Sequence, residues 1–147
     1  MTARRLSDRY EVADSVHSAA IHLLRRLRRV DESSGLSAPK LSVLSVLVFG
    51  GPKKLGELAD AEQVRPATMS RLVQELESDK LVVRRRDASD GRVVRVQASR
   101  RAVKLIKEGR SQRMTLLASW LKGLSAEELS TLGEAATTIE QLGVRGP

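Results

Sequence analysis

The stretch Val64-Arg65-Pro66-Ala67-Thr68-Met69-Ser70-Arg71-Leu72-Val73-Gln74-Glu75-Leu76 limits the possible folds of this chain more than any other. Met69, Leu72, Val73 and Leu76 recur at i, i+3, i+4 and i+7, the spacing that lays one apolar stripe along a helix and commits that stripe to a core. At about 100° per residue, Ala67, Arg71 and Gln74 project from the opposite side, with Thr68 and Ser70 beside them. Pro66 suits the first helical position, where its missing N–H costs nothing. The outward set is short, polar and nearly free of acid, which fits the floor of a DNA groove.

The flanking segments give this helix a setting. Leu55-Gly56-Glu57-Leu58-Ala59-Asp60-Ala61 predicts a short helix with Leu55, Leu58 and Ala59 inward. Ala59, Val64 and Met69 then fall where two steeply crossing helices need close packing, as in a helix-turn-helix. Gln63 sits at the turn position that a glycine or asparagine would occupy most easily. Leu81-Val82-Val83 and Val93-Val94-Arg95-Val96 read as strands, with Asp90-Gly91 as a turn signal, so a β-hairpin with arginine on its tip and flanks is expected. Asp90 is assigned a structural role there, holding the turn or orienting Arg92, because an anion facing phosphate would be repelled.

Charge follows the same segment. The chain carries a formal net charge of +8 with a pI near 10.6. Between Arg65 and Lys104 eleven Lys and Arg stand against five Asp and Glu, so most of the excess lies in the central helix, the hairpin and the start of the next helix. DNA, RNA and an anionic membrane surface would all suit such a chain. Phe, Trp and Tyr occur once each, so the stacking platform that single-strand and RNA-binding modules use is missing and duplex DNA is favoured.

Helical periodicity extends to both ends. Val12, Val16, Ala19, Ala20, Leu23, Leu27 and Val30 stripe a helix from about Asp8 to Val30. Arg25, Arg26, Arg28 and Arg29 crowd its last turns, as a solvated end or as phosphate contacts. Ser33-Ser34-Gly35 marks a loop. Ser37-Ala38-Pro39 is an N-cap with proline in the first turn of a helix over Leu41 to Phe49, whose Leu41, Leu44, Leu47 and Val48 keep helical spacing although the β-branched content would also suit a buried strand. Gly50-Gly51-Pro52 breaks the chain. Ser99 can cap a long helix to about Leu121, and Ser125-Ala126-Glu127-Glu128 is a capping box for a last helix that Gly143 ends. The apolar stripes at the two ends exceed what a small central core could cover, so a second copy of the chain is their expected cover.

At 147 residues the chain holds one core of ordinary size. It has no cysteine, which removes disulfides, thiolate zinc sites and a cysteine nucleophile. His17 and His22 fall on different helix faces and suggest no metal site. No catalytic constellation is legible, and no cofactor or enzyme activity is expected. The longest apolar run is too short for a bilayer and no secretory signal is apparent, so a soluble cytoplasmic protein is expected.

Taken together, Ser37–Gly51, Leu55–Ala59, Pro66–Leu76, Leu81–Arg84 and Asp90–Ser99 resemble the MarR family of bacterial winged-helix transcription regulators. Arg71-Leu72-Val73, Leu76-Glu77, Leu81-Val82 and Arg84 are similar to that family's reading helix and first wing strand. Asp90-Gly91-Arg92, Val94, Val96 and Ala98-Ser99 resemble its wing pattern, with Ala98-Ser99 standing where the family has Leu-Thr and Arg65 where it often has a serine-type cap. The likeness extends over residues 8 to 142. It implies a mainly α fold with a small β-hairpin wing: an N-terminal dimerisation helix over 1–36, a winged helix-turn-helix lobe over 37–99 and C-terminal dimerisation helices over 100–147. It further implies a homodimer on a pseudo-palindromic operator. Pro66, Ala67, Thr68, Ser70, Arg71 and Gln74 would then meet the major groove, and Arg92 the minor groove. Ser37, Lys53, Lys54, Arg65, Lys80, Arg84, Arg85, Arg86 and Arg95 would meet phosphate. For Arg71, pairing with Glu75 at i+4 is the competing role. Relatives often release DNA on binding a small apolar or aromatic molecule, for which Tyr10, Phe49, Met114 and Trp120 are the candidate lining. A non-regulatory architectural DNA- or RNA-binding winged helix is the alternative function.

Overall fold

The computed structural model describes residues 2–32 and 34–144, with side chains described for 8–30, 32 and 34–142. Its elements run α1 (Thr2–Glu32), α2 (Ala38–Gly50), α3 (Leu55–Ala61), α4 (Pro66–Ser78), β1 (Val82–Arg86), β2 (Val94–Ala98), α5 (Arg100–Leu121) and α6 (Ala126–Val144). The order matches expectation, with α1 and α6 somewhat longer than their stripes and Gly143 inside rather than beyond the last helix. Ser33, one of the expected loop residues, lies outside the described residues. Two compact units result, residues 1–111 and 112–147.

In the first unit, α2 begins at Ser37 with Pro39 in its first turn, and Ser37 uses no side-chain bond as cap. Its serines find partners, Ser45 Oγ donating to the Leu41 carbonyl within the helix at 2.8 Å and Ser42 Oγ to Glu62 at the end of α3 at 2.9 Å. That leaves the apolar residues to decide its packing. Val43, Leu44 and Leu47 are buried while Leu41 and Val48 are half-buried. The inward face is therefore turned toward Val43 relative to the expected Leu41, Leu44, Leu47, Val48 set. The pattern alone could not locate that turn, because nearly every position of this helix is apolar.

Leu58 and Ala59 of α3 and Met69, Val73 and Leu76 of α4 complete one core with Leu81, Val82, Val96, Ala102 and Ile106. Leu72, the fourth residue of the reading-helix stripe, packs half-buried against it. Both helices of the crossing pair end alike. At α3, Val64 N–H donates to the Ala59 carbonyl and Gln63 N–H to the Asp60 carbonyl; at α4, Leu81 N–H donates to Leu76 and Lys80 N–H to Glu77. These are Schellman closures, and each puts its turning residue in the left-handed region, Gln63 at φ +52° and Lys80 at φ +57°. Val64 and Leu81, the next residues, fold back onto the core.

β1 and β2 pair antiparallel from Val82↔Ala98 to Arg86↔Val94. Lys53 adds a short third rung: its N–H donates to the Val96 carbonyl at 3.0 Å and its carbonyl accepts from Val96 N–H at 2.8 Å. Ser99 joins three elements. Its N–H donates to Leu81, its hydroxyl donates to the Lys80 carbonyl at 3.0 Å, and that hydroxyl accepts the Ala102 N–H as the cap of α5.

In the second unit, Ser125 and Glu128 form the expected capping box, with Ser125 N–H on Glu128 at 2.8 Å and Glu128 N–H on Ser125 Oγ at 3.2 Å. Leu129, Leu132, Ile139 and Leu142 of α6 stay exposed in the single chain. In the first unit, Val12, Val16, Ile21, Leu23 and Leu24 of α1 are likewise exposed. Among the described residues, no helix is long and apolar enough to cross a membrane.

Candidate nucleic-acid interface

Burial of Met69, Val73 and Leu76 turns the rest of α4 outward. Pro66, Ala67, Thr68, Arg71 and Gln74 are exposed and Ser70 is half-buried. The helix has thirteen residues, about 20 Å of rod at 1.5 Å per residue, against a B-DNA major groove about 12 Å wide. Arg71 is 83% exposed and its Nε lies 3.3 Å from Glu75 Oε1, so the i+4 pairing weighed for it is present while its side chain stays open to solvent. Glu75 is shared: Lys40 Nζ stands 3.3 Å from its other oxygen and 2.9 Å from Asp79, and hydrogen bonding to Asp79 foremost raises the Lys40 pKa.

At its amino end α4 starts from Arg65, exposed and without a side-chain cap bond. Lys54 opens α3, and its N–H is taken by Glu57 Oε2 at 2.8 Å. Lys53 is half-buried, its backbone spent on β2. Ser37 is exposed at the start of α2, and Lys80 is exposed on its left-handed turn.

Within the wing the arginines divide into two kinds. Arg85, Arg86 and Arg92 are exposed and have no ion pair among the described residues. Arg84 Nε is 3.1 Å from Glu77 Oε2, and Arg95 is held by Asp87 and by Glu57, the latter at 3.7 Å. The tip carries the expected Asp90-Gly91 turn, with the Val93 N–H donating to the Asp90 carbonyl at 2.9 Å. Asp90 Oδ1 does accept the Arg92 N–H at 3.0 Å, as its structural role requires. Gly91 makes that turn without a positive φ; among the described residues the left-handed glycines are Gly35 and Gly51. Asp87 organises the residues before that turn, accepting from Ser89 N–H at 2.9 Å, the Ser89 hydroxyl and Asp90 N–H at 3.3 Å. Those bonds, with Ser89 first and Arg95 next, drive its pKa well below the usual carboxylate range.

Sequence reasoning passed over Glu57, Asp87 and Lys40. Glu57 had a signal, three residues past the start of α3, where a carboxylate reaches back to the first N–H. Asp87 had a weaker one in its Asp-Ala-Ser spacing, typical of an Asx turn. Lys40 had none, since its partners lie in another helix.

Of the four proposed ligand-lining residues, Tyr10 and Phe49 lie in the first unit, both exposed, with the Arg110 guanidinium 5.3 Å from the Phe49 ring centre. In the second, Met114 is exposed and Trp120 half-buried. An open groove of about 830 Å³ in the first unit is lined instead by residues including Leu36, Lys40, Asp79, Arg101 and Leu105.

A steep helix pair, an outward polar helix face and a basic hairpin match one family. The family model for the MarR family aligns with residues 34–93. An uncharacterised HTH-type transcriptional regulator, ML2140 of Mycobacterium leprae, is 33% identical over 131 residues, covering 89% of this chain and 92% of its own. The chain belongs to the MarR family. The MarR-family protein of Bacillus stearothermophilus superposes with a TM-score of 0.83 at 26% identity, over 96% of each chain. The HTH-type transcriptional repressor MdtR of Bacillus subtilis is 26% identical over 121 residues, 78% of each chain. As a MarR-family member the protein is a transcriptional regulator with a DNA-binding helix-turn-helix, and not an enzyme.

Proposed function

We propose that the protein is a sequence-specific repressor that binds a pseudo-palindromic operator as a homodimer and is relieved by a small apolar or aromatic molecule. The observation that carries the reading is the outward face of α4: Ala67, Thr68, Arg71 and Gln74 exposed directly opposite a buried Met69–Val73–Leu76 stripe. In the major groove Arg71 donates two N–H groups to a guanine edge, Thr68 and Ser70 adapt to base or phosphate, and Ala67 meets a thymine methyl. Arg92 enters the minor groove from the wing. Exposed Arg65, Lys80, Arg85 and Arg86 neutralise phosphate and set register, a role that gives position but no sequence preference.

Support for the dimer comes from the uncovered apolar faces of α1 and α6, larger than isolated surface apolar residues would be. Repression accords with the repressor named among the relatives. Ligand relief rests on the family resemblance, with Tyr10, Phe49, Met114 and Trp120 as candidates.

Selecting bound fragments from the source genome tests the reading. The expected product is a set of duplexes sharing a two-fold symmetric site, released when a small apolar or aromatic effector is added. Sites without two-fold symmetry would remove the dimeric reader, and equal binding to all duplexes would favour an architectural protein.

A further inference from the structure

One carboxylate ties the outgoing half of the wing loop to the returning strand. Asp87 Oδ1 takes two backbone N–H groups, of Ser89 and Asp90, and the Ser89 hydroxyl, while Oδ2 takes Arg95 Nε from the returning strand. Arg95 then reaches beyond the wing, its Nη1 3.7 Å from Glu57 Oε2. That same oxygen accepts the N–H of Lys54, the residue that opens α3. A continuous chain of polar contacts therefore runs from the wing loop, through β2, to the start of the helix-turn-helix.

The strand register gives a second reason for this chain. Arg85 and Arg95 are directly opposite across the ladder, and like charges so placed repel. Two carboxylates beside Arg95 relieve that repulsion without touching Arg85, which stays exposed. Arg95 itself is only 34% exposed, and its guanidinium is committed to acids inside the molecule.

We infer that Asp87, Arg95 and Glu57 form an internal brace that fixes the wing against α3, so that Arg95 is a positioning residue and not a phosphate contact, and Asp87 governs how Arg92 is presented to DNA. The inference rests on the DNA reading above for its functional half. Its structural half stands alone, so the two are separable.

Electrostatics supplies a test by sign. Removing an acid from a DNA-facing wing strengthens binding if the acid is a bystander, whereas removing the brace weakens it. Asp87→Ala is expected to lower affinity by about tenfold on an operator long enough to reach the wing, despite the gain of positive charge. On a duplex trimmed to the major-groove contacts the affinity is expected to change little. Arg95→Lys keeps the charge but loses the two-carboxylate fork, and is expected to follow Asp87→Ala; a phosphate contact would barely respond to it. In the free protein, amide exchange at Ser89 and Asp90 is expected to accelerate in both variants. Unchanged exchange, or tighter binding by Asp87→Ala, overturns the brace. If the unmodified protein binds no duplex while the exchange rates still rise, the DNA reading fails and the structural brace remains.

Discussion

At the scale of single residues, the two left-handed positions are the ones most open to improvement. Gln63 and Lys80 each carry a Cβ in a backbone region that costs a non-glycine residue about 1–2 kcal/mol, partly offset by the greater unfolded-state freedom of glycine. Gln63→Gly is therefore expected to raise stability by up to about 1 kcal/mol, read as a higher urea midpoint with unchanged slope. Lys80→Gly is expected to do the same while weakening binding to every duplex, because a cation is lost. The first strain was legible from the chain, since Gln63 follows a short helix where the turn must reverse. The second was not, because nothing in Asp79-Lys80-Leu81 announces a helix end as a glycine would. Variants at Arg71 and Arg85 test the proposed division between base reading and phosphate neutralisation. Arg71→Ala is expected to cost about 1–3 kcal/mol on the operator and flatten sequence preference, and Arg85→Ala to weaken all duplexes alike and lower the salt slope by about one. Competition binding at several salt concentrations decides; equal, sequence-blind losses would make Arg71 another backbone contact.

Among the elements, α4 was the most legible because its buried and exposed faces differ so sharply in chemistry. Met69, Val73 and Leu76 are wholly buried and Leu72 only half, which makes the stripe testable within one helix. Leu76→Ala is expected to destabilise the protein by about 2–5 kcal/mol, and Leu72→Ala by clearly less, in urea unfolding. The wing was legible as strands and in its Asp90-Gly91 turn, but not in its acid–arginine pairing. Asp90-Gly91 makes its tight reversal through the Val93 N–H on the Asp90 carbonyl, whereas the Asp87–Arg95 pair exists only once residues 87–93 form the connection. Spacing along a chain does not reveal partners that a register creates. The start of α6 is simpler, because its box is local. Glu128 is held below the ordinary glutamate pKa by the Ser125 N–H first and its hydroxyl second. A depressed carboxylate stabilises the fold above its unfolded pKa and ceases to as pH falls through the folded one. Ser125→Ala removes the hydroxyl contribution, and the Glu128 titration followed by NMR is expected to move up toward the ordinary value.

For the molecule as a whole, the uncovered apolar residues at both ends carry the largest open consequence. Leu132 and Ile139 of α6 are about half exposed, and a stable pairing of two chains needs about 1,200–2,000 Å² of total burial. Leu132→Glu with Ile139→Glu is expected to convert a dimer to single chains in sedimentation at micromolar concentration, and to abolish operator binding while the helical circular dichroism persists. An unchanged mass would move the interface elsewhere. The proposed second copy rests on surplus apolar stripe already visible in the sequence, whereas the route by which the lobe is assembled was not visible there. Lys53 lends two main-chain bonds to Val96, so the base of the hairpin is stitched to the segment that follows Gly50-Gly51-Pro52. Shortening that connector by a single residue would therefore pull the stitch out of step and swing the arginine-bearing tip away from its target, although every residue proposed to face the nucleic acid had been left in place.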